Sequence, residues 1–289
     1  MAIEAERRFD VVCAGEASWA VAGLGRAGPR GGRAPAFRPL GGAVEAALAL
    51  AGQGLRVGLA TVVPDDTLGR ALVDAVVGAG VDASGVSLAS PGGGLVRVER
   101  SLGSFAASRE DERPVVVPDA WSSQVLLLSG VSPLVAHGAA LCKAARAARR
   151  VGTIVVVDLN VRWHLWAGRD PRVIRMVLRE ADVVWCSAED LFGLNMDLVT
   201  VRGALRYDAT LAVTDGCGRA SVTGPFGEVA HAPPPGARPA PPGARGAFAT
   251  ATCAELARAG RSDDRSGELW ARALERGGVD AAAARGGLR

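Results

Sequence analysis

The stretch IVVVDLNVRWHLW, residues 154–166, decides how the rest of the chain is read. An unbroken β-branched run marks a strand buried on both faces, as in a parallel sheet covered by helices. Asp158 ends the run, and Asn160 and Arg162 follow at once. Polar side chains therefore stand just outside the carboxyl edge of the strand, where open α/β sheets bind ligands. Asn160 can fix a hydroxyl there, and the planar fork of Arg162 can hold an anionic group. On spacing alone, a capped strand end with Arg162 in solvent explains the pattern equally well.

Working outward, the same alternation repeats. Residues 125–129 predict a strand, 133–150 a helix, and 153–158 the strand just described. A helix over 171–180 leads to a strand over 182–186, with further strands over 211–214 and 220–223. Toward the amino end, strands are expected at 9–14 (stopped by Gly15) and 57–63, with helices at 45–52 and 67–80. Asp65 or Asp66 begins the latter helix, and Gly78 and Gly80 close it. Short strands at 95–99 and 105–109 do not fit the alternation. The prediction is a doubly wound, mostly parallel sheet with helices on both faces and a small β lid from segments 34–40 and 95–109. The Pro/Gly-rich stretch 233–242 could be a linker, but the helix after it, 247–259, is too short to stand alone. One domain over 1–289 is therefore expected.

Composition narrows the function classes. Hydrophobic residues are 49% and charged residues 22% of 289, ordinary for a globular chain. The net charge is only +3 and the arginines are dispersed, so a nucleic-acid partner is not expected. The apolar tract 46–63 contains Gln53 and Arg56, and the amino-terminal residues carry both charge signs, so neither a membrane span nor a signal peptide is expected. A cytoplasmic location follows. Cys13, Cys142, Cys186, Cys217 and Cys253 lie far apart without a C-x-x-C pair, and read as small buried hydrophobes rather than metal ligands or disulfides. Residues 23–28 match G-x-G-x-x-G, but Pro29 and further glycines follow where a dinucleotide site needs a helix, so the stretch reads as a loop.

Several motifs in order give the sequence a resemblance. D-x-N-x-R-x-x-L-W at 158–166 resembles the ribokinase-like (PfkB) carbohydrate kinases, nearest their 2-keto-3-deoxygluconate kinase branch. So do Gly41-Gly42 before an Ala-rich helix, Asp65-Asp66-Thr67-Leu68-Gly69, Ser187-Ala188-Glu189-Asp190, Val213-Thr214-Asp215-Gly216 and Gly243-Ala244-Arg245-Gly246. The matches span roughly 9–285. The resemblance implies Gly41, Gly42, Arg109, Asn160 and Arg162 at a sugar or sugar-acid substrate. It implies Ser187, Thr214, Gly216, Gly243, Ala244, Arg245 and Gly246 at a nucleotide, Asp190 toward a metal, and Mg-ATP as cosubstrate if any is used. A homodimer through the lid is a further expectation.

The departures matter as much. In the family's G-A-G-D turn, aspartate takes the proton from the sugar hydroxyl, while the backbone amides at a helix N-terminus cradle phosphate. Here Gly246 holds the base position, Arg245 replaces a glycine, and Pro241 and Pro242 precede the turn. Ala20 stands where a sugar-binding aspartate is usual, Glu45 where an asparagine is usual, and Arg219 where a glycine is usual. Three readings follow: a kinase homologue with lost or residual phosphotransfer, an active kinase that recruits Asp215 or Glu45 as base, or a structural partner of an active paralogue.

Overall fold

Aliphatic runs separated by glycine-rich or polar turns give, in chain order, β1 (Arg7–Gly15), β2 (Ser18–Ala22), β3 (Ala36–Leu40), α1 (Gly42–Ala51), β4 (Val57–Pro64), α2 (Thr67–Gly78) and β5 (Asp82–Ala89). Then come β6 (Val96–Arg100), β7 (Gly103–Ala106), β8 (Trp121–Ser129), α3 (Ala140–Arg150), β9 (Ile154–Asp158), α4 (Arg172–Leu178), β10 (Val183–Ser187) and α5 (Ala188–Gly193). The chain continues through α6 (Leu198–Ala204), β11 (Thr210–Thr214), β12 (Ala220–Gly224), β13 (Gly227–His231), α7 (Arg245–Ala259) and α8 (Gly267–Gly286). The computed structural model describes residues 7–22, 36–89, 96–100, 103–106, 114–130, 140–161, 172–215, 218–233, 245–260 and 266–286.

A nine-stranded sheet runs in the order β13-β12-β11-β10-β9-β8-β1-β4-β5. It is parallel from β11 to β5, and only β12 and β13 are antiparallel. Every residue of β9 and β10 is buried, as their continuous apolar runs predict. Side chains alternate between two cores: Val156 and Leu127 pack with α1, α7 and α8 residues on one face, and Val155 and Leu128 pack with α3 and α4 residues on the other. Trp270 is fully buried and stacks on Phe226, with ring centroids 5.4 Å apart, tying α8 to the antiparallel end of the sheet.

A second, four-stranded sheet has the order β3-β2-β6-β7. β3, β6 and β7 fall within the two lid segments expected from sequence. β2, β5, β13 and the short helices α5 and α6 were not anticipated, and α1 begins at Gly42 rather than Glu45. Asp66 caps α2 by accepting a hydrogen bond from the Gly69 amide at 2.8 Å, which settles which of the two aspartates starts that helix. Among the described residues, no helix is long and apolar enough to cross a membrane.

Candidate functional site

After β5 the chain crosses back over β1 to form β8, so the strand order reverses between β1 and β8. Carboxyl ends of neighbouring strands diverge into a crevice at such a point. Its floor here is Gly15-Glu16 at the end of β1 and Ser129-Gly130 at the end of β8, with the Glu16 amide donating to the Ser129 carbonyl at 3.3 Å. Thr61, within β4, donates its hydroxyl to the Gly15 carbonyl at 2.7 Å and ties β4 to the end of β1.

Gly41 and Gly42 open α1 against this floor. Gly41 has φ 112°, where a side chain is strained, and a Cβ there would run into the Glu16 carbonyl. A Cβ on Gly42 would collide with the Ser129 hydroxyl and stand 3.0 Å from Asn160 Nδ2. The expected pair of glycines is therefore brought to Asn160, and the reason is close approach. Ser129, for which no sequence signal existed, donates to Asp158 Oδ2 at 2.8 Å in a buried contact. Asn160 itself has φ 38°, a left-handed conformation that asparagine tolerates better than most residues, and it ends β9 by turning the chain aside.

The second half of the edge lies at β10 and β11. Ser187 and Thr214 are register partners at the ends of these strands, and both are buried. Ser187 caps α5 and Asp190 reaches back in return, forming a capping box. Asp158, Asn160, Asp190 and Thr214 line one small cavity together with Trp185 and Cys186. Burial, reinforced by the charges of Asp190 and Asp158, pushes the Cys186 thiol up to about 12, so it stands there as a neutral apolar group and not a nucleophile.

Gly246 lies in the first turn of α7, where a Cβ would meet nothing within 4 Å. Arg245 opens that helix. Arg109, Arg162, Gly216, Gly243 and Ala244 lie outside the described residues. Ala20 is in β2 opposite Arg38. The carboxylates considered as substitute bases are both engaged: Glu45 accepts from Arg38 at 3.3 Å, and Asp215 accepts from the Arg219 amide at 3.0 Å. Among the described residues, no cluster of His, Cys, Asp and Glu could hold a metal ion. A cation at Asp190 would have to compete with the Val161 amide on Oδ1, at 2.6 Å, and the Ser187 amide and hydroxyl on Oδ2, both at 2.8 Å. Both Asp190 oxygens thus already accept from protein donors.

No protein-family model matches the sequence, and no curated protein matches it either. Solved structures do. A PfkB protein from Polaromonas sp. superposes with a TM-score of 0.73 at 25% identity, over 97% of each chain. The fold is ribokinase-like. Aminoimidazole riboside kinase from Salmonella enterica, solved with aminoimidazole riboside and an ATP analogue, shares this ribokinase-like fold at a TM-score of 0.73 and 21% identity, over 96% of this chain and 92% of that one. Fructokinase from Xylella fastidiosa with bound ATP gives 0.71 and 21%, over 95% and 94%. The structural neighbours of this chain are thus sugar kinases of the PfkB type, at low sequence identity.

Proposed function

We propose that the chain is a single-domain PfkB-type carbohydrate kinase homologue, for a sugar or sugar acid, whose ATP-dependent phosphotransfer is lost or residual. The observation that carries this is Gly246. The first turn of α7 is where the resembling motif needs a carboxylate to take a proton, and glycine has no group to accept one. Gly41, Gly42, Asn160, Arg109 and Arg162 would hold the substrate. Ser187, Thr214, Gly216 and the 243–246 turn would meet the nucleotide, which would supply the phosphoryl group. The 2-keto-3-deoxygluconate kinase likeness favours an acidic sugar, with Arg162 on its carboxylate. A cytoplasmic location and a homodimer through the β2–β3–β6–β7 sheet belong to the same reading.

The rival reading, an active kinase with a recruited base, is disfavoured by the ion pairs at Glu45 and Asp215. Each carboxylate would have to leave its arginine contact before it could turn toward a substrate. A purely structural partner would bind neither ligand. Thermal-shift titration with ATP, with and without magnesium, and with a panel of sugars and sugar acids separates both kinase readings from the structural partner, because a ligand of the native state stabilises by mass action. Turnover separates the two kinase readings from each other. A shift with a sugar acid or with ATP supports the homologue reading, and flat curves throughout would leave the structural partner.

Arg162→Ala should abolish any sugar-acid shift and leave the unliganded melting temperature nearly unchanged. A shift that survives the substitution removes Arg162 from the site, and a large loss of unliganded stability makes it structural.

Gly246→Asp should fold at least as well as the parent. A Cβ there meets open space, the first turn of α7 has no acidic residue, and an acid near a helix N-terminus contributes about 0.3–1 kcal/mol. It should still not restore robust turnover, because Arg245 remains in the phosphate turn and Ala20 and Glu45 remain in the sugar site. Activity near 1 s⁻¹, within about tenfold of an ordinary enzyme, would show that only the base was missing.

A further inference from the structure

We propose that Asp190 is a positioning strut that ties the β10–α5 turn to the Asn160 loop, and that it does not ligate a cation. The argument begins with side-chain length. Aspartate is short, and at the third position of α5 its carboxylate folds back onto its own turn. Asp190 Oδ2 accepts from both the amide and the hydroxyl of Ser187, and the Ser187 hydroxyl accepts from the Asp190 amide at 3.2 Å. The remaining oxygen, Oδ1, is then aimed across the sheet edge at the Val161 amide, 2.6 Å away and 29 positions back in the chain.

That amide is presented by Asn160. With φ 38°, Asn160 breaks the β9 ladder and turns the next N–H toward β10, while Leu159 stays in register by donating to the Trp185 carbonyl at 3.0 Å. Asp190 is only 3% exposed, so the bond to Val161 forms with little competition from water. A charged acceptor also makes these bonds stronger than neutral ones. The residue held is the one directly after Asn160, so the exit of the chain from Asn160 is fixed from the neighbouring strand. The Asp190 carboxylate thus links the start of α5 to the residue after Asn160. That one end of this link faces nucleotide and the other sugar rests on the proposed kinase-homologue reading; the link itself does not.

Native-state hydrogen exchange on the full-length protein tests the strut without any ligand. In Asp190→Ala the Val161 amide should exchange about 10–100-fold faster, the loss expected for a charge-assisted hydrogen bond, while Val155–Val157 amides in β9 keep their protection. Asp190→Asn is the milder variant: its amide oxygen can still accept from Val161, so protection there should fall less than in the alanine variant. Unchanged exchange at Val161 in both variants overturns the proposal. So does an equal loss across all of β9, which would make Asp190 a general stability residue. Manganese titration followed by electron paramagnetic resonance closes the question of the cation. Equal Mn²⁺ binding, or none, in the wild type and Asp190→Asn fits the strut; binding in the wild type that Asp190→Asn abolishes overturns it. Failure of the kinase-homologue reading would instead appear in the thermal-shift titrations, with the exchange result intact.

Discussion

Wild-type protein supplied with magnesium-ATP and a panel of sugars and sugar acids is expected to turn over no faster than about 10⁻³ s⁻¹, against a typical enzyme value of about 10 s⁻¹. A positioned general base contributes about 10²–10⁴-fold, and Gly246 leaves that position without a side chain. Loss of a donor in an anion hole removes about 10²–10³-fold more, and the approach to α7 carries Arg245 together with Pro241 and Pro242, which lack the amide hydrogens such a hole needs. Groups that act as a unit are not additive, so about 10⁴-fold, the lower end of the product, sets the expectation. The two candidate substitute bases are already engaged elsewhere. Glu45 already receives Arg38 at 3.3 Å, and Asp215 receives the Arg219 amide with the Arg219 guanidinium 4.0 Å from its other oxygen. Both arrangements arise where the chain departs from the resembling motif, at Glu45 and at Arg219. A coupled assay that returns about 1 s⁻¹ on any sugar would refute the loss of catalysis.

What could be read from the sequence was whatever periodicity or a local motif encodes. The parallel strands β8, β9, β10 and β11 announce themselves as aliphatic runs because both faces are buried. Asp158, Asn160, Ser187 and Thr214 are legible as the first polar residues after such runs. The lid was visible in outline, but β2 was not, since SWAVA is too short to distinguish from the end of β1 two residues earlier. The edge strand β13 was hidden for a related reason: GEVAH is half exposed and carries no apolar alternation. Contacts between distant segments were not legible at all. Ser129 on Asp158, Asp190 on the Val161 amide and the crowding of Gly42 by Ser129 and Asn160 depend on which strand ends meet, and no single segment contains that information. The arginine partners of Glu45 and Asp215 are of the same kind, and they bear directly on whether either could serve as a base.

Asp182→Ala should be among the most destabilising single substitutions in the β9–β11 half of the sheet, by about 3 kcal/mol, the low end for breaking a buried ion pair from one side. Asp182 stands at the turn into β10, 9% exposed, and its carboxylate serves two separate elements. Oδ2 accepts from the Val155 amide in β9 at 2.8 Å, and Oδ1 accepts from Arg206, just before β11, at 2.6 Å. Its backbone completes the tie, because the Asp182 amide donates to the Val155 carbonyl at 2.8 Å and its carbonyl accepts from Thr210 at 2.9 Å. Alanine keeps the backbone bonds but leaves a buried Val155 N–H without its acceptor and an Arg206 head group, with a side chain only 22% exposed, short of one carboxylate. Asp208 still faces Arg206 at 3.0 Å, which is why the lower figure applies. Asp182→Asn discriminates the two terms: its oxygen can still serve Val155, so it should lose the charge pairing but not the strand-to-strand bond and cost about half as much. Urea unfolding with an unchanged slope measures both variants. A loss below about 1 kcal/mol in Asp182→Ala would mean that water replaces the carboxylate at the amino edge. Because this edge lies across the sheet from Asn160 and Ser187, the substitution should leave any ligand-induced thermal shift intact while lowering the melting temperature from which it is measured.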